Sequence, residues 1–230
     1  MFWKFRAFFY FLARSLKLRG ALLPAWLGLF SVEKIIKGYR ELKEMVNFKK
    51  LQQEIKGYDA DREELIKKSR DVLKLSKQLI YSVHRDELKE AAGLANQIET
   101  QKNHLDKIAF KKKKLIFEGS YKVAVQEYVE AVLYYHFVKT GKLLDLKVSA
   151  EHFVLGLADL PGEMVRKAVF LAGKGQVEKV IKIKDEVDNI YGELLKFDFR
   201  DNEVRRKVDA VKYDLRKLED LVLDLKLNQR

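Results

Sequence analysis

Two pairs of acidic residues stand where the helices of a water-soluble protein usually carry apolar side chains. Glu127 and Glu130 are three residues apart and Asp159 and Glu163 are four apart, so each pair occupies one face of a predicted helix. Carboxylate oxygens are the ligands that Mg²⁺ prefers, and a bound Mg²⁺ can activate water and neutralise charge on a phosphodiester. If the two helices face each other, the four acids predict a Mg²⁺ site, with Mn²⁺ as a possible substitute.

Other carboxylate enzymes make related patterns. Di-iron bundles need Glu-x-x-His, and none of the four histidines has an acid three positions before it. All-α nucleotide pyrophosphatases place Glu-x-x-Glu and Glu-x-x-Asp pairs around Mg²⁺, whereas the second pair here is Asp-x-x-x-Glu. We therefore rank a nucleotide pyrophosphatase below the other candidate functions considered for this chain.

The composition favours a polyanionic partner. The 230 residues carry a formal net charge of +12, which suits nucleic acid or an anionic membrane surface. Candidate phosphate-binding residues are His84 and Arg85 at one helix end and the run Lys111, Lys112, Lys113 and Lys114. The chain has no cysteine, which excludes a disulfide scaffold, a zinc finger and a thiol nucleophile, and we expect a cytoplasmic location.

The elements that must position the acids are helices. Only two prolines occur, Pro24 and Pro161, and hairpin signals such as Asn-Gly are missing from the sequence. We predict an all-α single domain of about seven helices. Apolar periodicity, caps and glycines place them at about 32–56, 59–85, 86–117, 121–140, 149–172, 177–197 and 202–227. The first of these is expected to stop at Gly57.

Residues 1–45 are predicted to be a basic, aromatic extension of a helical domain at 46–230. The longest uncharged run, at 20–32, has 13 residues, too short for a transmembrane helix of about 20. Three interpretations stay open: peripheral membrane contact by residues 1–30, an arm that packs on protein, or an incorrectly assigned start.

The last predicted helix carries a long apolar stripe. Its members alternate spacings of four and three: Val204, Val208, Val211, Leu215, Leu218, Val222 and Leu225. Because an exposed stripe of this length is rare on a monomer, we expect it to be covered partly by the domain and partly by a second copy of the chain.

Four blocks of the sequence resemble the translin/Trax family. QEYVEAVLYYHFVKTGKLL (126–144) and GLADLPGEMVR (156–166) are similar to Trax helices, the second to the signature GxxDLTGELMR. DAVKYDLRKLEDLVLDL (209–225) resembles the last helix of translin, and 60–85 resembles the opening helix of the family.

The resemblance implies a seven-helix fold that assembles into a homo-oligomer, often an octamer, and binds single-stranded RNA or DNA. It also implies a Mg²⁺-dependent endoribonuclease whose four carboxylates fall on Glu127, Glu130, Asp159 and Glu163. Pro161 stands where Trax has threonine, so a kink is expected between Asp159 and Glu163. The alternative is a non-catalytic, translin-like nucleic-acid binder.

Overall fold

The computed structural model describes residues 46–227. That range contains six α-helices, one 3₁₀ turn and no strand, which confirms the all-α fold class. The elements are α1 (Phe48–His84), α2 (Leu88–Ala109), the 3₁₀ turn (Leu115–Phe117), α3 (Gly119–Thr140), α4 (Ala150–Gly173), α5 (Val177–Leu194) and α6 (Asn202–Leu227). The predicted extension at 1–45 lies outside the described residues. In the described part, no helix has both the length and the apolar content needed to span a membrane.

The helix boundaries differ from the prediction at two places. The break expected at Gly57 is absent, because α1 continues through it. A single glycine costs a helix only about 1 kcal/mol. Asp61, near the predicted start at residue 59, lies inside α1 and forms an ion pair with Lys112 at 2.7 Å. The predicted helix at 86–117 is shorter, since it ends at Ala109 and a turn leads to the 3₁₀ segment.

The core lies in the compact unit formed by Tyr58–Arg230, and α3 is its central helix. More than half of the α3 residues are buried, and α3 packs against α2 and α4. In turn α4 packs against α3, α5 and α6. An acid on α3 therefore faces another helix far more readily than solvent.

A glycine sets how closely α3 and α4 approach each other. A Cβ atom added at Gly156 of α4 would lie 2.6 Å from both the Gln126 carbonyl oxygen and the Val129 Cβ of α3. Because real side chains do not tolerate such distances, the contact requires glycine here. It brings the two acid-bearing helices together.

Local signals define the ends of these helices. The Ser149 hydroxyl accepts a hydrogen bond from the backbone N–H of His152 at the start of α4. Gly141, in the left-handed conformation at φ +72°, ends α3 and donates its N–H to the Phe137 carbonyl. Pro161 is buried inside α4, and the helix runs without a break from Ala150 to Gly173.

Candidate functional site

The four predicted carboxylates lie on the facing sides of α3 and α4. Glu127 and Glu130 come from α3, and Asp159 and Glu163 come from α4. They are close enough that the charges of Glu127, Asp159 and Glu163 all act on Glu130. The acids that the sequence spacing singled out therefore act on one another through their charges, and their role as a metal site stays a prediction.

Glu130 is the most deeply placed member, with 9% of its surface exposed. Burial, together with the charges of the neighbouring acids Asp159, Glu127 and Glu163, raises the pKa of Glu130 to about 8. Burial also raises the pKa of Glu127, an effect that the positive charge of Lys77 on α1 opposes. Because the negative charges of these acids repel one another, binding of a cation among them would be favourable.

Asp159 is held by two side chains. Lys207 of α6 donates to both carboxylate oxygens, at 2.6 and 2.7 Å, and the Gln126 amide donates to Oδ2 at 2.5 Å. These contacts fix the carboxylate from α3 and α6 at once. They also supply one positive charge to the cluster from within the chain.

Glu163 is held by a histidine from α1. Its Oε2 atom contacts Nε2 of His84, and Nδ1 of His84 contacts the Tyr134 hydroxyl at 2.9 Å. The hydrogen bond from His84 lowers the pKa of Glu163, against the effect of burial. Arg166, one turn along α4, lies 3.8 Å from the same carboxylate oxygen.

The α1–α2 turn that carries His84 is itself anchored to α4. Lys167 is buried and donates to the Val83 carbonyl at 3.1 Å and to Asp86 Oδ1 at 2.5 Å. Lys174 pairs with the other oxygen of Asp86 at 3.2 Å. Asp86, at φ +62°, adopts the left-handed conformation of a turn and does not open the next helix as predicted. The anchor places His84 beside Glu163.

Three of the four carboxylates line one cavity of about 300 Å³. The lining residues are Lys77, Ile80, Tyr81, Glu127, Glu130, Glu163 and Arg166. Asp159 is turned toward Lys207 and Gln126 instead. The cavity thus combines one buried acid, Glu130, and two half-buried acids with the basic side chains of Lys77 and Arg166. This pairing suits a phosphate ester beside a cation.

The carboxylate oxygens of these acids are suitable ligands for a hard divalent cation, but they are not arranged at coordination distances from one common point. Within residues 46–227, no three Asp, Glu, His or Cys side chains are grouped closely enough to form a metal site. Glu127 and Glu130 have no hydrogen bond or ion pair within the described residues, whereas Asp159 and Glu163 are engaged by Lys207 and His84. A cation at Asp159 would compete with Lys207, which contacts both carboxylate oxygens, whereas His84 contacts Glu163 through Oε2 and leaves Oε1 for a cation.

The predicted phosphate-binding residues fall into separate places. His84 lies inside the carboxylate cluster, and Arg85 next to it is exposed. In the lysine run, Lys111 pairs with Glu64 at 3.2 Å and Lys112 with Asp61. Lys113 and Lys114 are exposed. The structure does not bring this run to the acids.

Sequence reasoning missed the side chains that support the acids. Lys207, Lys77 and Gln126 carry no motif, and the helices that bring them together are far apart in the chain. His84 was singled out only for its charge. Gln126 is next to Glu127 in the sequence. Its contact with Asp159 is not predictable from the sequence, because it depends on the crossing of α3 and α4.

Comparison with known sequences assigns the chain to a family. A sequence model of the Translin family matches residues 60–229. The chain belongs to the Translin family. Mouse translin-associated protein X is 25% identical to this Translin-family chain over 232 aligned positions, covering 80% of this chain and 78% of the mouse protein.

Solved structures share the Translin-family fold. Apo-NeC3PO is 26% identical and matches with a TM-score of 0.73, covering 78% of this chain and 97% of its own. AfC3PO, solved as a complex with duplex RNA, is 23% identical and matches with a TM-score of 0.64, covering 80% of this chain and 98% of its own. The four-block resemblance in the sequence is confirmed at the level of family and fold.

Proposed function

We propose that this protein binds nucleic acid as an oligomer and cuts single-stranded RNA with a Mg²⁺-dependent endoribonuclease centre at Glu127, Glu130, Asp159 and Glu163. The observation that carries the proposal is the set of acids on the facing sides of α3 and α4. Glu127, Glu130 and Glu163 line one cavity with Lys77 and Arg166, and the charge of Asp159 also acts on Glu130. Membership of the Translin family and the RNA complex of AfC3PO support RNA as the polyanion to test.

Each side chain has a stated part in that proposal. A bound Mg²⁺ would supply an activated water and charge neutralisation at the phosphodiester. Glu127 and Glu130 offer oxygens with no competing partner in the described range. Glu163 is kept ionised and oriented by His84, and Asp159 is oriented by Gln126 and Lys207. Lys77 and Arg166 are placed to balance the phosphate charge at the cavity.

The test is cleavage of a fluorescent single-stranded RNA in Mg²⁺ by the full chain and by Glu127→Gln. Glutamine keeps the size of the side chain and removes the metal-binding charge, so we expect a loss of rate of at least about 100-fold, comparable to removing a key transition-state contact. Glu178→Gln, at an exposed acid on α5, is the matched control and should cleave normally. Equal rates for the wild type and Glu127→Gln would contradict the proposal.

One observation favours a second function, a non-catalytic nucleic-acid binder. Lys207 forms an ion pair with Asp159 and His84 contacts Glu163, so two of the four acids have a side-chain partner without a metal. Binding of the RNA without turnover in either Mg²⁺ or Mn²⁺ would select this function. Hydrolysis of free nucleoside triphosphates, with RNA left intact, would select a pyrophosphatase instead.

A further inference from the structure

A stripe of aromatic and basic side chains runs along α1 up to the carboxylate cavity. Lys74, Lys77, Tyr81 and Arg85 are spaced three or four residues apart, so they share one face of the helix. They lie in the same compact unit as the acids. All four side chains are exposed, including 55% of Tyr81, so the ring is accessible to a ligand.

The stripe and the carboxylate cavity are continuous. A second, more open cavity of about 560 Å³ is lined by Leu73, Lys74, Lys77, Gln78 and Tyr81. Lys77 and Tyr81 also line the cavity that holds Glu127, Glu130 and Glu163. A ligand lying along α1 would therefore pass directly from the stripe to the acids.

Tyr81 has a cationic neighbour of the kind found in base-stacking sites. The guanidinium carbon of Arg85 lies 5.6 Å from the centre of the Tyr81 ring, and Arg85 is also held by Glu87 at 2.7 Å. Aromatic rings flanked by arginine and lysine bind single strands, because every base has a stacking face and every phosphate a negative charge. Bases inside a duplex already have both faces stacked, so such a platform selects unpaired nucleotides.

We propose that Tyr81, with Arg85 and Lys77, is a stacking platform for one unpaired base of an RNA strand, and that it sets the neighbouring phosphate at the carboxylate cavity. The proposal deepens the proposed function and rests on it for the cutting step, but binding at the platform is measurable without any cleavage. A peptide or a lipid surface fits the α1 stripe less well. Neither has the flat rings and regularly spaced negative charges that would match Tyr81 and the basic side chains beside it.

The probe is a single-stranded 2′-O-methyl oligonucleotide of about 12 nucleotides, a length within the range covered by common single-strand sites, with 2-aminopurine at alternate positions. The 2′-O-methyl groups prevent cleavage through attack by the 2′ oxygen, and a denaturing gel checks that the strand stays intact during the measurement. The fluorescence of 2-aminopurine falls when the base stacks. With the full chain in Mg²⁺, we expect fluorescence quenching on binding. Tyr81→Ala should lose the quenching and bind about tenfold more weakly, the scale of one lost base–aromatic stack.

Two further variants separate stacking from loss of fold. Tyr81→Trp should keep the affinity within about twofold and keep the quenching, since indole also stacks. Tyr213→Ala removes a tyrosine that is 63% exposed on α6 and should behave as the wild type. A matched duplex should bind Tyr81→Ala and the wild type equally.

Each outcome of these binding measurements either supports or overturns the stacking platform. Unchanged binding by Tyr81→Ala, an equal loss in Tyr213→Ala, or an equal loss for the duplex would overturn the platform, whatever the cleavage assay shows. So would a wild-type chain that does not bind the probe. A clear Tyr81 effect in a protein that never cuts unmodified RNA would support the platform and reject the endoribonuclease.

Discussion

Glu130 is the acid of the cluster whose ionisation costs the most free energy in the folded protein. Burial and three neighbouring acids raise its pKa to about 8 from an ordinary value of 4.5. Between those pH values the folded chain holds a proton that the unfolded chain has released. The free energy of unfolding should therefore fall as the pH rises through this window.

The corresponding prediction concerns Glu130→Gln in the absence of metal. At about pH 5 the variant and the wild type should have similar stability, and at about pH 8 the variant should be more stable, by on the order of a few kcal/mol. Urea denaturation in EDTA at the two pH values measures this. Glu178→Gln is the control and should behave as the wild type. The same change in the free energy of unfolding between pH 5 and pH 8 in all three proteins would contradict this prediction.

His84 is a positioning residue in this account, because it holds Glu163 through one ring nitrogen and Tyr134 through the other. Loss of such a supporting contact typically weakens metal binding by about 10- to 100-fold. We expect that loss for His84→Ala in a Mn²⁺ titration, and none for His104→Ala, an exposed histidine on α2. Weaker RNA binding with unchanged Mn²⁺ affinity would instead make His84 a phosphate contact.

At the scale of elements, the contact between α3 and α4 decides whether the two acid pairs meet. Gly156→Ala puts a methyl group 2.6 Å from the Gln126 carbonyl, so the helices must separate. We expect a loss of stability of about 1–3 kcal/mol, typical of overpacking. At Gly162 on the same helix, the nearest atom to an added Cβ is 3.9 Å away, so Gly162→Ala should be neutral or slightly stabilising. Thermal denaturation of the two variants compares them directly, and equal effects would contradict the close approach.

Much of this helical layout is predictable from local signals. The periodicity of α5 and α6, the serine cap of α4 and the terminal Gly141 of α3 place those helices within a few residues of their observed bounds. Gly57 misleads because one glycine rarely ends a helix that is extended by good helix formers on both sides. The acid pairs are also predictable, since they break the apolar pattern of two helices.

The partners of the acids are not predictable in the same way. The contact between Lys207 and Asp159 joins residues 48 positions apart, and that between His84 and Glu163 joins residues 79 positions apart. The first depends on the packing of α6 against α4 and the second on the placement of the end of α1 beside α4, and no local pattern encodes either. The same is true of the continuity between the Tyr81 stripe and the carboxylate cavity.

At the scale of the whole molecule, the apolar stripe of α6 has a different role from the one expected. Packing against α4 and α5 buries six of its seven residues and half-buries the seventh, Leu225. The stripe is therefore not available to a second subunit. Exposed apolar side chains are found elsewhere on these helices, at Val169 and Phe170 on α4 and at Leu223 and Leu227 on α6.

The homo-oligomer stays a prediction that follows from the family resemblance. We expect light scattering of the full chain at micromolar concentration to give about eight times the 27.0 kDa of one chain. The same measurement on residues 46–230 should give the same number of subunits, since the family resemblance lies in the helical domain. A monomer in both cases would contradict the assembly.

Anomalous diffraction from crystals grown in Mn²⁺ tests most directly the prediction that Glu127, Glu130, Asp159 and Glu163 together hold a divalent cation. We expect an anomalous peak between α3 and α4 that contacts at least three of these carboxylates, and no such peak in crystals of Glu127→Gln. Crystals that show no peak there at saturating Mn²⁺, with Lys207 still bound to Asp159, would contradict it.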